Sequence, residues 1–210
     1  YRPPGFTADL RVTKDDIPEE LIKRTKVLVV TGTGLSANPS YEANAYAVRL
    51  ASKYGKTIVF NLDWRPSLWR NVPEEERLRR YAEVISMSNI IIGGVPEWLA
   101  ATGKGTINDA LDYVKLISNR IIGTIITKGE EGVTAYWEDK EVNIKPIKVY
   151  VLKTLGAGDS FLAAFLYGYL YLSKLGWNIE RILKFASAAA AIVVTRHSCS
   201  EAMPTYDEVM

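Results

Sequence analysis

The sequence predicts an α/β fold in which a mostly parallel central sheet is covered by helices on both faces. Three observations lead there. Val27-Leu-Val-Val30, Thr57-Ile-Val-Phe60 and Ile90-Ile-Ile92 are short, continuously apolar runs, the pattern of strands buried on both sides. Segments with helical spacing stand between them, so strands and helices alternate as in a parallel sheet with crossover helices. Polar clusters at Thr31–Ser36, Asn61–Arg65, Gly93–Glu97 and Thr127–Gly129 lie at strand ends, where open α/β sheets bind their ligands.

Taken in order, Phe6, Ala8, Leu10 and Val12 alternate with polar residues and predict a half-buried strand. Asp15-Asp16-Ile17-Pro18 predicts a helix start with Pro18 in the first turn. The strand at residues 27–30 runs into Thr31-Gly-Thr-Gly34, and residues 39–54 carry helical spacing that stops at Gly55. The strand at residues 57–60 ends in Asn61-Leu-Asp-Trp-Arg-Pro66, followed by a charged helix over residues 73–86. The strand at residues 90–92 ends at Gly93-Gly94. Glu97 begins a short helical piece, and residues 107–117 form another helix. Residues 121–126 predict a strand ending at Thr127-Lys-Gly129, then residues 133–137 and 142–147 predict an antiparallel pair. Two helices, over residues 157–175 and 179–194, close the chain.

The chain's 210 residues suffice for one large domain, or a domain with an appendage. Apolar residues at 48% and charged residues at 24% fit a soluble globular protein. No apolar run is long enough to span a bilayer, which argues against a membrane partner. The 26 basic and 24 acidic side chains nearly balance, which argues against a nucleic-acid partner. Cys199 is the single cysteine, so no internal disulfide can form and a reducing cytoplasm is the expected compartment.

The chemistry-bearing stretch is Gly156-Ala157-Gly158-Asp159, which opens the apolar helix containing Phe161, Leu162, Phe165 and Leu166. A helix start offers unpaired N–H groups and the positive end of a dipole, and glycines let a phosphate approach the backbone. A carboxylate in an anion site makes sense if Asp159 removes a proton from a hydroxyl that then attacks phosphorus. The plainer alternative is a glycine-rich loop with an acidic helix start. Arg65, two residues from Asp63, can grip a phosphate or carboxylate, or form a structural ion pair. Thr127-Lys128-Gly129 suits a nucleotide phosphate or a hairpin turn, and Glu97 suits a magnesium ion held through water or a surface helix start. The alanine-rich run around Ser187 makes either tight helix packing or a flat wall for an adenine ring. His197 is read as structural or solvent-facing, Cys199 as no nucleophile, and the scattered tryptophans as core.

Thr154-Leu-Gly-Ala-Gly-Asp-Ser160, followed by an apolar helix, resembles the signature of the ribokinase (PfkB) carbohydrate kinases. Thr127-Lys-Gly-Glu-Glu-Gly132 resembles their nucleotide-phosphate segment. Asn61-Leu-Asp-Trp-Arg-Pro-Ser-Leu-Trp69 resembles a segment of the kinases that act on keto-deoxygluconates, and Arg196-His-Ser-Cys-Ser-Glu-Ala-Met-Pro204 leans the same way. The resemblance implies a ribokinase-like three-layer sandwich, with residues 1–13 the remnant of a β-lid strand and residues 14–210 the nucleotide-binding and catalytic part of a longer kinase. It implies ATP and Mg2+ as cofactors and a small-molecule sugar acid, phosphorylated at a primary hydroxyl, as partner. Asp159 would be the base, with the amides of Gly156, Ala157 and Gly158 around the moving phosphoryl group. Thr127, Lys128, Gly129, Gly132, Ser187 and Asp63 would serve the nucleotide, Arg2 and Arg65 the substrate, and Glu97 the metal. A homodimer through the lid is implied where the complete chain is present. The sequence departs from the family pattern at Asn61, usually acidic, at Gly94, usually asparagine, and at Ser187, often asparagine. A non-catalytic nucleotide-binding fragment, and a kinase of a neutral sugar or a nucleoside, stand as alternatives.

Overall fold

The computed structural model describes residues 7–210. Two compact units divide the chain, the first ending at Thr124 and the second running from Ile125 to Met210. The strands are β1 (Val27–Thr31), β2 (Thr57–Asn61), β3 (Ile90–Gly94), β4 (Gly123–Thr127), β5 (Val133–Trp137) and β6 (Lys140–Ile144). They follow one another in this order in a six-stranded sheet. β1 pairs with β2 and β2 with β3 in parallel, and β5 pairs antiparallel with β6, with Val133 opposite Ile144. The mostly parallel α/β architecture expected from the sequence is therefore present.

In the first unit the helices are α1 (Glu19–Arg24), α2 (Ser40–Lys53), α3 (Glu74–Met87), α4 (Val95–Thr102) and α5 (Ile107–Ile117). Ile58, Val59 and Phe60 are consecutive on β2 and all fully buried, as are Ile90 and Ile91 on β3. Successive strand residues point to opposite faces, so continuous burial means that both faces of these strands are covered. β1 is less enclosed, with Val29 exposed. α3 carries three glutamates in its first turn, which suits the positive end of the helix dipole, and turns Tyr81, Val84 and Ile85 inward. Where β1 ends, a Cβ on Gly32 would lie 1.9 Å from the Leu62 carbonyl oxygen and 2.4 Å from the Tyr81 hydroxyl, so only glycine allows this approach of strand ends.

In the second unit α6 spans Ala157–Tyr167, α7 Ile179–Val194 and α8 Tyr206–Val209. α6 and α7 pack against each other, and α7 also meets β5 and β6. Phe165, Leu172, Leu183, Ala186, Ala189 and Val193 form much of the core here. No helix among the described residues is long and apolar enough to cross a membrane.

Three expectations need correction. The alternating pattern at residues 6–12 does not form a strand over its described part. Ala8–Arg11 is a single 3-10 turn with Leu10 buried, because period-2 alternation makes a strand only where a neighbour completes the ladder. The helix expected over residues 157–175 is regular only to Tyr167, then passes through a π-turn at Gly168–Leu172 and a 3-10 turn at Ser173–Leu175. A Cβ on Gly168 would stand 2.6 Å from Ile182 Cγ2, so the close crossing with α7 coincides with the irregular turn. β6 ends at Ile144, earlier than expected, because Pro146 has no N–H to extend a ladder.

Candidate active site

The first unit gathers its polar side chains at the carboxyl ends of β1, β2 and β3. Asp63 follows β2 with φ of 29°, a left-handed conformation that costs a non-glycine residue energy and clusters at functional sites. Its carboxylate accepts hydrogen bonds from the Thr33 hydroxyl and, at 3.0 Å, from Arg65 Nε. Thr33 also reaches the Asp63 carbonyl at 3.2 Å. The Arg65 side chain stays 45% exposed, so the rest of its guanidinium faces solvent. Its ion pair with Asp63 and its availability to an anion therefore coexist.

Glu97 occupies the third position of α4, and its Oε2 accepts from the Gly94 N–H at 2.6 Å, closing the helix start. Burial pushes the Glu97 carboxyl above the usual range and the Asp63 charge adds to this, while the backbone N–H groups of Gly94 and Trp64 and the Arg65 charge act the other way. Two carboxylates that repel each other suit a divalent cation between or beside them, held in part through water. Among the described residues no cluster of three His, Cys, Asp or Glu offers a complete metal cage. The Tyr81 hydroxyl donates to the Leu62 carbonyl at 2.9 Å, and burial with the Asp63 and Glu97 charges nearby raises its pKa.

In the second unit β4 delivers Thr127 and Lys128 into a tight turn. The Lys128 N–H donates to the Gly132 carbonyl at 2.8 Å around a 3-10 turn at Gly129–Glu131. Gly129 and Gly132 have φ of 57° and 95°. A Cβ on Gly132 would lie 2.1 Å from the Ile144 carbonyl oxygen, so glycine is required there. The amides of Leu152 and Lys153 both donate to the Val194 carbonyl, tying the approach to α6 onto the end of α7. Gly156 then caps α6 with φ of 89°. A Cβ there would meet Cys199 Sγ at 2.9 Å and Val193 Cγ1 at 3.3 Å.

Around Gly158, by contrast, nothing lies within 4 Å of a Cβ position, and Asp159 beside it is exposed. An open glycine followed by an exposed carboxylate at a helix start is the geometry an incoming phosphate and hydroxyl need. The Ala157 N–H already donates to the Thr154 carbonyl at 3.3 Å, so it is a weaker anion donor than the next amides. On α7 the Ser187 hydroxyl is buried with no hydrogen-bond partner, which marks a place where a ligand group would complete it.

The sequence-derived candidates thus divide into Asp63, Arg65 and Glu97 in the first unit and the Thr127–Gly132 turn, Gly156–Asp159 and Ser187 in the second. Arg2 lies outside the described residues. His197 is exposed, as expected, whereas Cys199 proves to be the side chain behind Gly156. Thr33 and Tyr81 went unassigned in the sequence. Thr33 stood in a polar strand-end cluster, which was a usable signal, but nothing in the spacing tied Tyr81 to Leu62.

Residues 4–206 match the family described as pfkB family carbohydrate kinase. A 5-dehydro-2-deoxygluconokinase of Listeria innocua is 42% identical over 203 residues, covering 96% of this chain and 61% of the relative. The corresponding kinase of Clostridium perfringens is 40% identical, covering 96% of this chain and 59% of the relative. The chain therefore spans about three-fifths of the length of the curated relatives it matches. Among solved structures, an uncharacterized sugar kinase of Pyrococcus horikoshii in complex with ATP superposes with a TM-score of 0.79 at 26% identity, covering 97% of this chain and 63% of that one.

Proposed function

From the premise that this chain belongs to the pfkB family of carbohydrate kinases, we propose that the complete protein transfers the γ-phosphoryl group of ATP to a primary hydroxyl of a sugar acid of the 5-dehydro-2-deoxygluconate or 2-keto-3-deoxygluconate type. The observation that carries this reading is the start of α6: a glycine cap held in a left-handed turn, an open Gly158, and an exposed Asp159. The names of the relatives at about 40% identity support the sugar-acid class.

Asp159 takes the proton of the substrate hydroxyl as its oxygen forms the new bond to the γ-phosphorus. The bond to the bridging oxygen breaks and ADP departs with that electron pair. The amides of Gly158 and its neighbours in the first turn receive the charge on the moving phosphoryl oxygens. Lys128, at the β4 turn, neutralises nucleotide phosphates, and the Ser187 hydroxyl finds its partner on the nucleotide. Arg65 offers its solvent-facing guanidinium edge to the sugar-acid carboxylate. A magnesium ion, for which Glu97 with Asp63 is the fitting carboxylate pair, would supply neutralisation of the phosphate charge. For the complete protein, a homodimer through the lid is the assembly the family resemblance suggests.

In the complete enzyme, Asp159→Asn is expected to keep ATP affinity and lose most turnover, measured by isothermal titration and a coupled ADP assay. Turnover within a few-fold of the parent would remove Asp159 from the role of base.

A further inference from the structure

The Asp63 carboxylate joins a buried hydroxyl to a half-exposed guanidinium. Thr33 is 2% exposed. Its Oγ1 donates to Asp63 Oδ2 at 2.5 Å, with the Asp63 carbonyl a second, longer contact at 3.2 Å. The other carboxylate oxygen, Oδ1, accepts from Arg65 Nε at 3.0 Å. Side-chain exposure rises outward along this chain of contacts, from 20% at Asp63 to 45% at Arg65. The backbone on either side is held as well. Leu62 donates its N–H to the Ile92 carbonyl at 2.8 Å, and its own carbonyl accepts from the Tyr81 hydroxyl at 2.9 Å. The Arg65 carbonyl accepts from the Leu68 N–H at 2.9 Å. Asp63 stands between these two fixed residues with φ of 29°. Such a conformation persists only where surrounding contacts over-determine it, and Thr33 supplies one from the end of a different strand.

An arginine side chain is long, and fixing its rotamers on binding costs affinity, so a guanidinium held in place beforehand binds an anion more tightly. With Nε committed to Asp63, the two Nη groups form the edge left for the two oxygens of a ligand carboxylate. A carboxylate anchored at one oxygen alone could swing and carry Arg65 with it. The Thr33 bond at the second oxygen removes that freedom, and the burial of Thr33 keeps water from taking its place. We infer that Thr33 is a positioning residue: through Asp63 it presents the Nη edge of Arg65 to the carboxylate of the sugar acid, and so sustains the preference for acids over neutral sugars without touching substrate. The inference rests on the sugar-acid reading of Arg65 and adds the residue that orients it.

The test uses the complete enzyme with Thr33→Val, which keeps the shape and removes the hydroxyl, and Thr33→Ser, which keeps the hydroxyl. The Arg65 Nε–H resonance, assigned through Arg65→Lys, reports the arrangement before any ligand is added. Its exchange with solvent should quicken in Thr33→Val and stay near the parent rate in Thr33→Ser; an unchanged rate in Thr33→Val would overturn the positioning role. Thr33→Val should raise both Kd and KM for 2-keto-3-deoxygluconate about ten-fold, and Thr33→Ser should recover most of that loss. KM for the corresponding neutral keto-sugar and the affinity for ATP with Mg2+ should stay within about two-fold of the parent. In the Arg65→Ala background Thr33→Val should cost nothing further, because the hydroxyl acts only through that guanidinium. An additive loss there, or an equal loss for the neutral sugar, would reveal a general structural role and overturn the assignment. Weaker Mg2+–ATP binding with unchanged acid affinity would do the same, by giving the hydroxyl to metal binding instead. If the parent binds the acid and Thr33→Val binds it equally well, this inference alone is lost. A parent that binds no sugar acid defeats the sugar-acid reading itself, and the inference with it.

Discussion

Replacing Gly156 by alanine sets conformational strain and steric crowding against each other in a measurable way. At φ of 89° the residue sits in left-handed territory, where a side chain costs about 1–2 kcal/mol. The new methyl would also lie 2.9 Å from Cys199 Sγ and 3.3 Å from Val193 Cγ1. Relieving such overpacking costs about 1–3 kcal/mol. The sum, about 2–5 kcal/mol, is a large part of the 5–15 kcal/mol typical of a folded domain. With a urea slope of about 2–3 kcal/mol per molar, the unfolding midpoint of Gly156→Ala should fall by about 1–2 M. Adding Cys199→Ala removes the sulfur but leaves the strained φ, so about half of the loss should return. Gly158→Ala provides the contrast, because it has ordinary helical backbone and open space around it. It should raise stability by about 0.4–1 kcal/mol while weakening ATP, whose phosphates need that space. An unchanged midpoint for Gly156→Ala, or full ATP affinity in Gly158→Ala, would refute the account of the α6 start.

Ser187→Ala should stabilise the nucleotide-free chain by about 1–3 kcal/mol, since it removes a buried hydroxyl with no partner, and should weaken ATP in a calorimetric titration. Destabilisation of the free chain would mean that the hydroxyl is satisfied without ligand. Lys128→Ala should weaken ATP about ten-fold or more while leaving sugar affinity alone, since a charge-assisted contact to phosphate is lost; equal effects on both ligands would move Lys128 away from the phosphates. The Glu97 carboxyl is raised in the folded state. The native protein therefore binds its proton more tightly, and this group's stability contribution is greatest below the unfolded value near 4.5 and is lost as pH rises through the folded pKa. The urea midpoint of the parent should therefore fall relative to that of Glu97→Gln as pH rises above the ordinary glutamate value, and a constant offset across pH 4–8 would contradict the burial argument.

Much of the architecture was legible because it depends on local periodicity. The helices at Ile107–Ile117 and Ile179–Val194 were read to the residue, since each has an apolar stripe and a capping residue in front, Thr106 and Asn178, that accepts from the first turn. The strands at Thr57 and Ile90 were evident because burial on both faces leaves an uninterrupted apolar run, whereas the equally apolar run at Val27 belongs to a strand of which only Val30 is buried, so the expected enclosure of both its faces is not met. Residues 7–12 and the second half of α6 were misread, because a ladder partner and a tight helix crossing are not written in local spacing.

The same division holds for the candidate site. By itself the sequence determined which residue types stand at which strand and helix ends: the glycines and Asp159 at the start of α6, the Asp63–Arg65 pair after β2, and the Thr127–Gly129 turn after β4. These follow from pattern and from the backbone freedom that glycine alone provides. Only the tertiary structure decided that Cys199 stands behind Gly156, that Thr33 holds the Asp63 carboxylate, that the Ser187 hydroxyl has no partner, and that Arg77 on α3 meets Trp64 from the loop after β2. Each of these depends on side chains from separate elements meeting in space. Burial and hydrogen-bond satisfaction belong to that packed arrangement, and residue order alone does not specify them.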